Sequence, residues 1–519
     1  MTSSGRFDAH AVGSASSAAS KEETVKMHTG VDDEVEHTRL SLDEQLERGA
    51  TLRGGKTYHR TRKFTARDAR CVVLAGGADE RNPLTRARAR SAVHLGGIHR
   101  LIDFPMSNLV NSGMRQIYVM TQYNSHSLIS HVNRAFPAEM FGGSEEGFVE
   151  TLPTTQTREH GTTWSTGSAD CVARALSQGS LTKLSYEIRM EDECLRELGS
   201  LTECKAFYND KVTIILAAEQ LYEMDFSALL EQHLQTEADI TVATCSHVKP
   251  KEAKNLGVMD IDERTGNVLS FLEKPNEEQL LEFMQCSTET ELEDCTLHAN
   301  MGVYVFNNAA LEELLAHARD ENNVNRYEFG LHVLPYAIQA GYHVSSFEHK
   351  GYWRPMRTLT DYYNANIELA TGGPASELLS GSHPVYTKPN FLPPSTFFGE
   401  TMMEGSIVSD GCVIKSGSKI RNSIIGPCAV IDENVTLDGV VFVGRDELLK
   451  RAGSEVSDIG AGSVLRKCIV DSDAIIGKNV SILNEAGVQE LDATEDGYII
   501  TEGIVTILGN AIIPDGFTL

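Results

Sequence analysis

Short apolar runs that end in small residues recur through the middle of the chain. CVVLAGG (71–77) comes first, followed by QIYVMTQ (116–122), VTIILAA (212–218), ADITVATCS (238–246) and MGVYVF (301–306). Runs apolar on both faces read as buried parallel strands. Between them, SLISHVNRAF (127–136) and FSALLEQHLQ (226–235) place apolar residues at helical spacing. Strands and helices in alternation predict a three-layer α/β domain over residues 67–372, with ligands at the carboxyl ends of the strands.

A different rhythm follows. Residues 373–400 contain SGSHPVYTKPNFLPPSTFFG, whose prolines and glycines mark a linker. From 401 to 519 the period is six. Gly405, Gly411 and Gly417 are six apart, Ile407 and Val413 repeat with them, and so do Ile414 and Ile420. Val464, Val470, Ile476 and Ile482 continue the spacing. Short strands turning every six residues, with a small aliphatic pointing inward on each side, predict a left-handed parallel β-helix. The stretch GRDELLKRAGSEVSDIGAG (444–462) interrupts the repeat and reads as an insertion looping out of the coil. Such prisms stack against copies of themselves, so this domain is expected to serve assembly and regulation.

Residues 1–66 read as a flexible tail. The opening MTSSGRFDAHAVGSASSAAS is small and polar, and charged stretches such as DDEVEHTRLSLDEQLERG follow. Its Ser/Ala content resembles part of a transit peptide but lacks the arginines, and plain disorder is the competing reading. The segment Leu40–Leu46 supports at most a short helix.

Composition narrows the function classes. With 519 residues, 41% hydrophobic, 43 Gly and 15 Pro, the chain is an ordinary globular one with room for more than one domain. A net charge of −27 argues against a nucleic-acid partner. An anionic small molecule remains compatible, because a local Lys/Arg pocket overrides the average. No run of about 18 apolar residues exists to span a bilayer. The ten cysteines (71, 171, 194, 204, 245, 286, 295, 412, 428, 468) contain no C-x-x-C pair. They are expected to be reduced, mostly buried thiols rather than a metal site or disulfide framework.

The motifs point further. GGIHRLIDFPMSN (96–108) resembles the G-x-x-R-x-I-D-x-P-x-S-N signature of glucose-1-phosphate adenylyltransferases, also called ADP-glucose pyrophosphorylases. YVMTQYNS (118–125), GFVE (147–150) with TQT (155–157), GSAD (167–170), FLEKP (271–275) and MGVYVF are similar to further family motifs, in order. IGKNVSILNEAGVQELD and GYIITEGIVTILGNAIIPDG near the C-terminus resemble plant and algal subunits. The likeness covers roughly residues 67–519. It implies a GT-A-like nucleotidyltransferase domain followed by a left-handed β-helix, and the joining of ATP to glucose 1-phosphate with release of pyrophosphate. The sugar phosphate attacks the α-phosphorus in line, so catalysis is mostly positioning and charge neutralisation.

The resemblance also assigns residues. Gln122 matches the glutamine that reads the adenine edge, with Gly167, Ser168, Ala169 and Asp170 on the opposite side of the nucleotide. Glu273 and Lys274 match the sugar-hydroxyl acceptor and the glucose 1-phosphate lysine. Gly257 belongs to the same sugar pocket, and Asn300 stands where the family has serine. Lys478 matches a lysine near the anionic activator site.

Other positions depart. The phosphate loop G-G-G-x-G-T-R is here Ala75-Gly76-Gly77-Ala78-Asp79-Glu80-Arg81, one residue shorter and carrying two acids that repel polyphosphate. Arg81 keeps the basic residue, and Arg90 replaces the lysine of K-P-A-V. The metal-binding L-S-G-D-H-L-Y is Leu216-Ala217-Ala218-Glu219-Gln220-Leu221-Tyr222, leaving Glu219 as the expected Mg²⁺ ligand with one more methylene. The second acid, in W-x-D-[VI]-G-T, is lost in Trp353-Arg354-Pro355-Met356-Arg357-Thr358. On the regulatory side, D-K-N-A becomes Asp471-Ser472-Asp473-Ala474, and a later lysine is Gly509.

Intact base and sugar pockets beside damaged metal and phosphate sites predict a modulatory subunit. It would pair with a catalytic paralogue in a heterotetramer and respond to anionic effectors in a plastid. Open alternatives are an active enzyme with a metal site rebuilt around Glu219, a non-enzymatic nucleotide- or sugar-phosphate-binding scaffold, and a cytoplasmic location.

Overall fold

A computed structural model describes residues 65–77, 82–122, 124–142, 147–154, 167–177, 212–284, 286, 295–318, 328–381, 383–445 and 457–519. The tail through residue 64, Arg81 with the acids of the phosphate loop, the TQT motif and most of the 444–462 insertion lie outside them.

Among the described residues nine strands form the central sheet: β1 (Arg70–Leu74), β2 (Gln116–Thr121), β3 (Phe148–Pro153), β4 (Val212–Ala217), β5 (Ile240–Val248), β6 (Gly257–Ile261), β7 (Val268–Glu273), β8 (Leu297–Asn307) and β9 (Val344–His349). Their order is β7-β6-β8-β4-β1-β2-β3, with β5 pairing β8 and β9. One half is parallel, since β1 runs with β2 and β4, and β2 with β3. Successive residues face opposite layers: Cys71, Val73, Ile214 and Leu216 enter one core, while Val72, Ile215 and Tyr304 enter the other. This gives the three layers expected.

The other half of the sheet corrects the expectation of parallel strands. The strand containing MGVYVF, β8, is antiparallel to β4, β5 and β6. An apolar run reports burial on both faces but carries no direction. Connection topology decides that.

In the C-terminal domain short strands stack in parallel at intervals of 17 residues. Val413 lies on Val430, Ile407 on Ile424, and Val464 on Ser481. Ile414, Ile420, Val470, Ile476 and Ile482 fill the core, while Ile407, Val413 and Val464 are half-buried. Leu465 occupies the core place beside Val464. Gly405, Gly411 and Gly417 take the left-handed backbone conformation at the corners (φ +52°, +76° and +79°). Asn422, Cys428 and Asn434 adopt it one coil further on. The corners therefore stack as glycine on a residue that tolerates left-handed φ. Thr396–Phe397 already pairs with Val413–Ile414, so the coil begins inside the stretch read as linker.

The helix Leu359–Thr371, capped by Thr358 and Asp361, lies between the two folds. Leu359, Tyr362, Tyr363 and Leu369 pack in one core with Leu84, Leu101 and Met356, and with Ile424, Val441, Ile469 and Ile504 of the β-helix. The Tyr363 hydroxyl donates to Gly439 O at 2.7 Å. Arg88 donates to Asp471 Oδ1 at 2.7 Å and to Ser472 Oγ at 3.2 Å, with both charged side chains buried.

Among the described cysteines, Cys71, Cys245, Cys412, Cys428 and Cys468 are free thiols. Burial raises the thiol pKa of Cys412 to about 11 and of Cys468 to about 12.

Arg88→Met leaves the Asp471 carboxylate buried without its cation and is expected to cost about 3–5 kcal/mol. Adding Asp471→Leu removes the orphan charge and should recover most of that loss. Equilibrium urea unfolding of the single and double variants measures both, and equal losses in the two would disprove the pair's role.

Candidate active site

The carboxyl ends of β1, β2 and β4 converge. Ala75 N donates to Met120 O and Ala218 N to Leu74 O, which lays Ala75–Gly77 across the strand ends. The two glycines permit this approach. A Cβ on Gly76 would stand 2.9 Å from Gln122 Cβ, and one on Gly77 would stand 2.8 Å from Glu219 Oε1. Gln122 and Glu219 are thus brought to the two sides of one glycine turn.

A two-stranded ladder assembles the rest. Trp353–Pro355 pairs antiparallel with Gln220–Tyr222, Pro355 opposite Gln220, and Met356 N donates to Glu219 O at 3.1 Å. Positions 219 and 355, where the resemblance expects two acids, are therefore neighbours. Between them stands a cation network that the sequence did not disclose. Arg90 donates Nη1 to Glu219 Oε2 at 3.1 Å and Nη2 to Arg357 O at 2.7 Å.

Arg357 continues from this cluster toward β7 and β8. Its backbone N–H donates to Asp361, while its Nη1 is buried without a hydrogen-bond partner. Burial lowers the pKa of this guanidinium, Glu273 and Asp361 oppose the shift, and Arg90 adds to it. Glu273 closes the far side. Its carboxylate fits between two glycines, a Cβ on either Gly257 or Gly330 standing 2.6 Å from Oε2. Burial raises the Glu273 pKa, with Lys274 and Arg357 opposing. Lys274 is exposed, has φ +46°, and is held by its N–H donating to Leu256 O. Such backbone strain concentrates at functional sites.

The remaining expected residues divide. Asn300 is committed to structure, accepting from Gly302 N and donating to the Tyr304 hydroxyl, both at 2.8 Å. Ser168 Oγ accepts from Phe329 N, and Ala169 is buried beneath it. Asp170 is buried and paired with Arg174 at 2.8 Å on its own helix, with Gly167 at the helix start. Lys478 lies on an exposed β-helix corner, its N–H bonded to Asp515. Arg81 is outside the described residues.

A basic cleft elsewhere went unnoticed in the sequence. His94, Arg100, His131, Lys388, Asn390 and Arg445 line it, drawn from the α/β domain, the stretch read as linker, and the β-helix. Arg445 is paired with Asp458, and His131 Nε2 lies 2.5 Å from Asp103 Oδ1. Residues so far apart in sequence give no local pattern.

Magnesium fits this site poorly. Glu219 is already engaged by Arg90, Pro355 offers no ligand atom, and the Arg357 guanidinium adds positive charge beside them. Among the described residues no three His, Cys, Asp or Glu side chains form a metal-binding group. Octahedral Mg²⁺ needs several oxygen ligands, so no chemical step is routed through it here.

A sheet with closely packed glycines at its strand ends, joined to a hexapeptide coil, defines a sugar-nucleotide-type transferase architecture. Two comparisons make it specific. The family model described as "Nucleotidyl transferase" matches residues 70–179 and 168–372, and that described as "GLGC left-handed parallel beta-helix domain" matches 390–518. The chain is 35% identical over 460 residues to the wheat (Triticum aestivum) "Glucose-1-phosphate adenylyltransferase small subunit, chloroplastic/amyloplastic", covering 86% of this chain and 90% of the other. The chain belongs to the glucose-1-phosphate adenylyltransferase family. No helix among the described residues is long and apolar enough to cross a membrane.

Gly257→Ala drives a methyl group into the Phe271 ring as well as the Glu273 carboxylate, each 2.6 Å away. It should cost about 1–3 kcal/mol by overpacking. Gly113→Ala meets no atom within 4 Å, so its cost is confined to positive φ, where φ is +78°. Thermal unfolding of the two variants is expected to rank Gly257→Ala as the more damaging.

Proposed function

We propose that this chain is a modulatory subunit of an ADP-glucose pyrophosphorylase, which makes ADP-glucose and pyrophosphate from ATP and glucose 1-phosphate. It keeps substrate pockets while a catalytic paralogue performs most of the chemistry. The observation that carries this reading is the Arg90–Glu219–Arg357 network. It occupies the ground where the family resemblance calls for two carboxylates and a metal. Gln122, packed on Gly76, is suited to reading the adenine edge. Glu273, seated between Gly257 and Gly330, is suited to sugar hydroxyls, and Lys274 to the sugar phosphate. Asn300, Ser168 and Asp170 support the walls of these pockets through the bonds described above.

Assembly with a paralogue is supported by the wheat relative, which is named as a subunit. That relative's chloroplastic/amyloplastic name supports plastid residence for this chain as well. For an anionic effector, the basic cleft around Arg100, Lys388 and Arg445 is a better-formed receptor than exposed Lys478. It draws on both domains and is partly shielded from solvent.

The purified chain with ATP, glucose 1-phosphate and Mg²⁺ is expected to release pyrophosphate at least about a hundredfold more slowly than its complex with an intact paralogue, a barrier difference of about 3 kcal/mol. Comparable rates for the lone chain and the complex would overturn the modulatory reading. Glu219→Asp with Pro355→Asp alone should stay inactive, because the guanidinium of Arg357 remains. Adding Arg357→Gly should raise the rate of the lone chain.

A further inference from the structure

Arg357 stands between two parts of the cleft. On one side its backbone is held by Arg90, which also grips Glu219. On the other, its guanidinium lies within electrostatic reach of Glu273, whose carboxylate sits between Gly257 and Gly330. Its Nη1 is cut off from water and has no partner, and none of its contacts with Glu273 or Asp361 is an ion pair. A buried guanidinium nitrogen without an acceptor is costly, and a second arginine beside it raises the cost by repulsion. The arrangement is complete only when an anion supplies acceptor oxygens. Lys274 follows Glu273 at the end of β7, close enough for its charge to act on that carboxylate, and Glu273 provides an acceptor for neutral hydroxyls.

We propose that Arg357, backed by Arg90 and Lys274, takes over the charge-neutralising task of a divalent cation, so that the pocket binds a hexose monophosphate without metal. The phosphate oxygens accept from the Arg357 guanidinium and the Lys274 ammonium, and Glu273 accepts from the sugar hydroxyls. Guanidinium suits this task because its planar fork matches two phosphate oxygens and its charge does not depend on pH. The subunit would thus sense sugar phosphate in its own cleft, whatever the divalent-ion level. This rests on the reading of Glu273 and Lys274 as a sugar-phosphate pocket.

Isothermal titration of the full-length chain with glucose 1-phosphate tests it, once in EDTA and once in Mg²⁺. The two affinities are expected to agree within about twofold, and Arg357→Gly to weaken both by about tenfold or more. Arg357→Lys should recover part of the loss, and thermal unfolding verifies that each variant is folded. Glu273→Gln should weaken glucose 1-phosphate while leaving competition by inorganic phosphate intact. Binding that appears only with Mg²⁺, or an Arg357→Gly variant that binds like the parent, overturns the proposal. Absence of binding in both buffers, in a chain that still assembles with and modulates its paralogue, overturns it too but leaves the subunit reading standing. Metal-free binding by a chain that neither assembles nor modulates supports the proposal and removes the subunit reading.

Discussion

The helix Leu359–Thr371 is the constraint on which both halves of the molecule depend. Its apolar face is shared by the α/β domain and the β-helix, so neither can be repacked without the other. Its N-terminus is fixed by the reciprocal Thr358–Asp361 cap, and the residues just before the cap are Pro355, Met356 and Arg357. Met356 belongs to the shared core and also donates its N–H to Glu219 O. The position of the two-stranded ladder of Gln220–Tyr222 and Trp353–Pro355 is therefore set by packing on the β-helix.

A second link runs in parallel. The segment after the phosphate loop carries arginines at 86, 88 and 90, and they point to different places. Arg86 donates to Thr494 and Arg88 to Asp471 and Ser472 on the β-helix, whereas Arg90 reaches Glu219 in the cleft. Arg88 is buried and rigidly paired, while Arg86 is partly exposed and screened by solvent. The buried pair is thus the one able to transmit a displacement. The Asp471-Ser472 dipeptide, which looks in the sequence like a lost activator lysine, has acquired an internal partner.

What the sequence disclosed was whatever is encoded locally. The coil was legible because Gly405, Gly411 and Gly417 must sit at left-handed corners, and the buried aliphatics recur between them. The pairing of Gln122 with the glycine turn and of Glu273 with Gly257 followed the family motifs. The direction of β8 was not legible, because an apolar run is the same read either way. The Arg90–Glu219 pair spans 129 positions and the Arg88–Asp471 pair 383, so no window contains them. Asp170 with Arg174, by contrast, is an i,i+4 helix pair that the spacing alone contains.

The departures from the family pattern form one fitted unit rather than scattered decay. A lysine at position 90 could supply charge but not two divergent donors in one plane. Arg90 uses both branches of its fork, one on Glu219 and one on Arg357 O. The added methylene of Glu219 lengthens the reach of its carboxylate toward that fork. Proline at 355 lacks an acid and an N–H, yet its place opposite Gln220 still lets Met356 N–H bond Glu219 O. Arg357, where glycine is expected, offers its backbone O to that fork and adds a guanidinium beside it. Reverting any one of these residues leaves the other three shaped for the present arrangement. Loss of a metal site by drift would predict unpaired charges and empty volume. Glu219 is instead paired with Arg90, and the nitrogen left without an acceptor, Arg357 Nη1, is buried rather than stranded in open space.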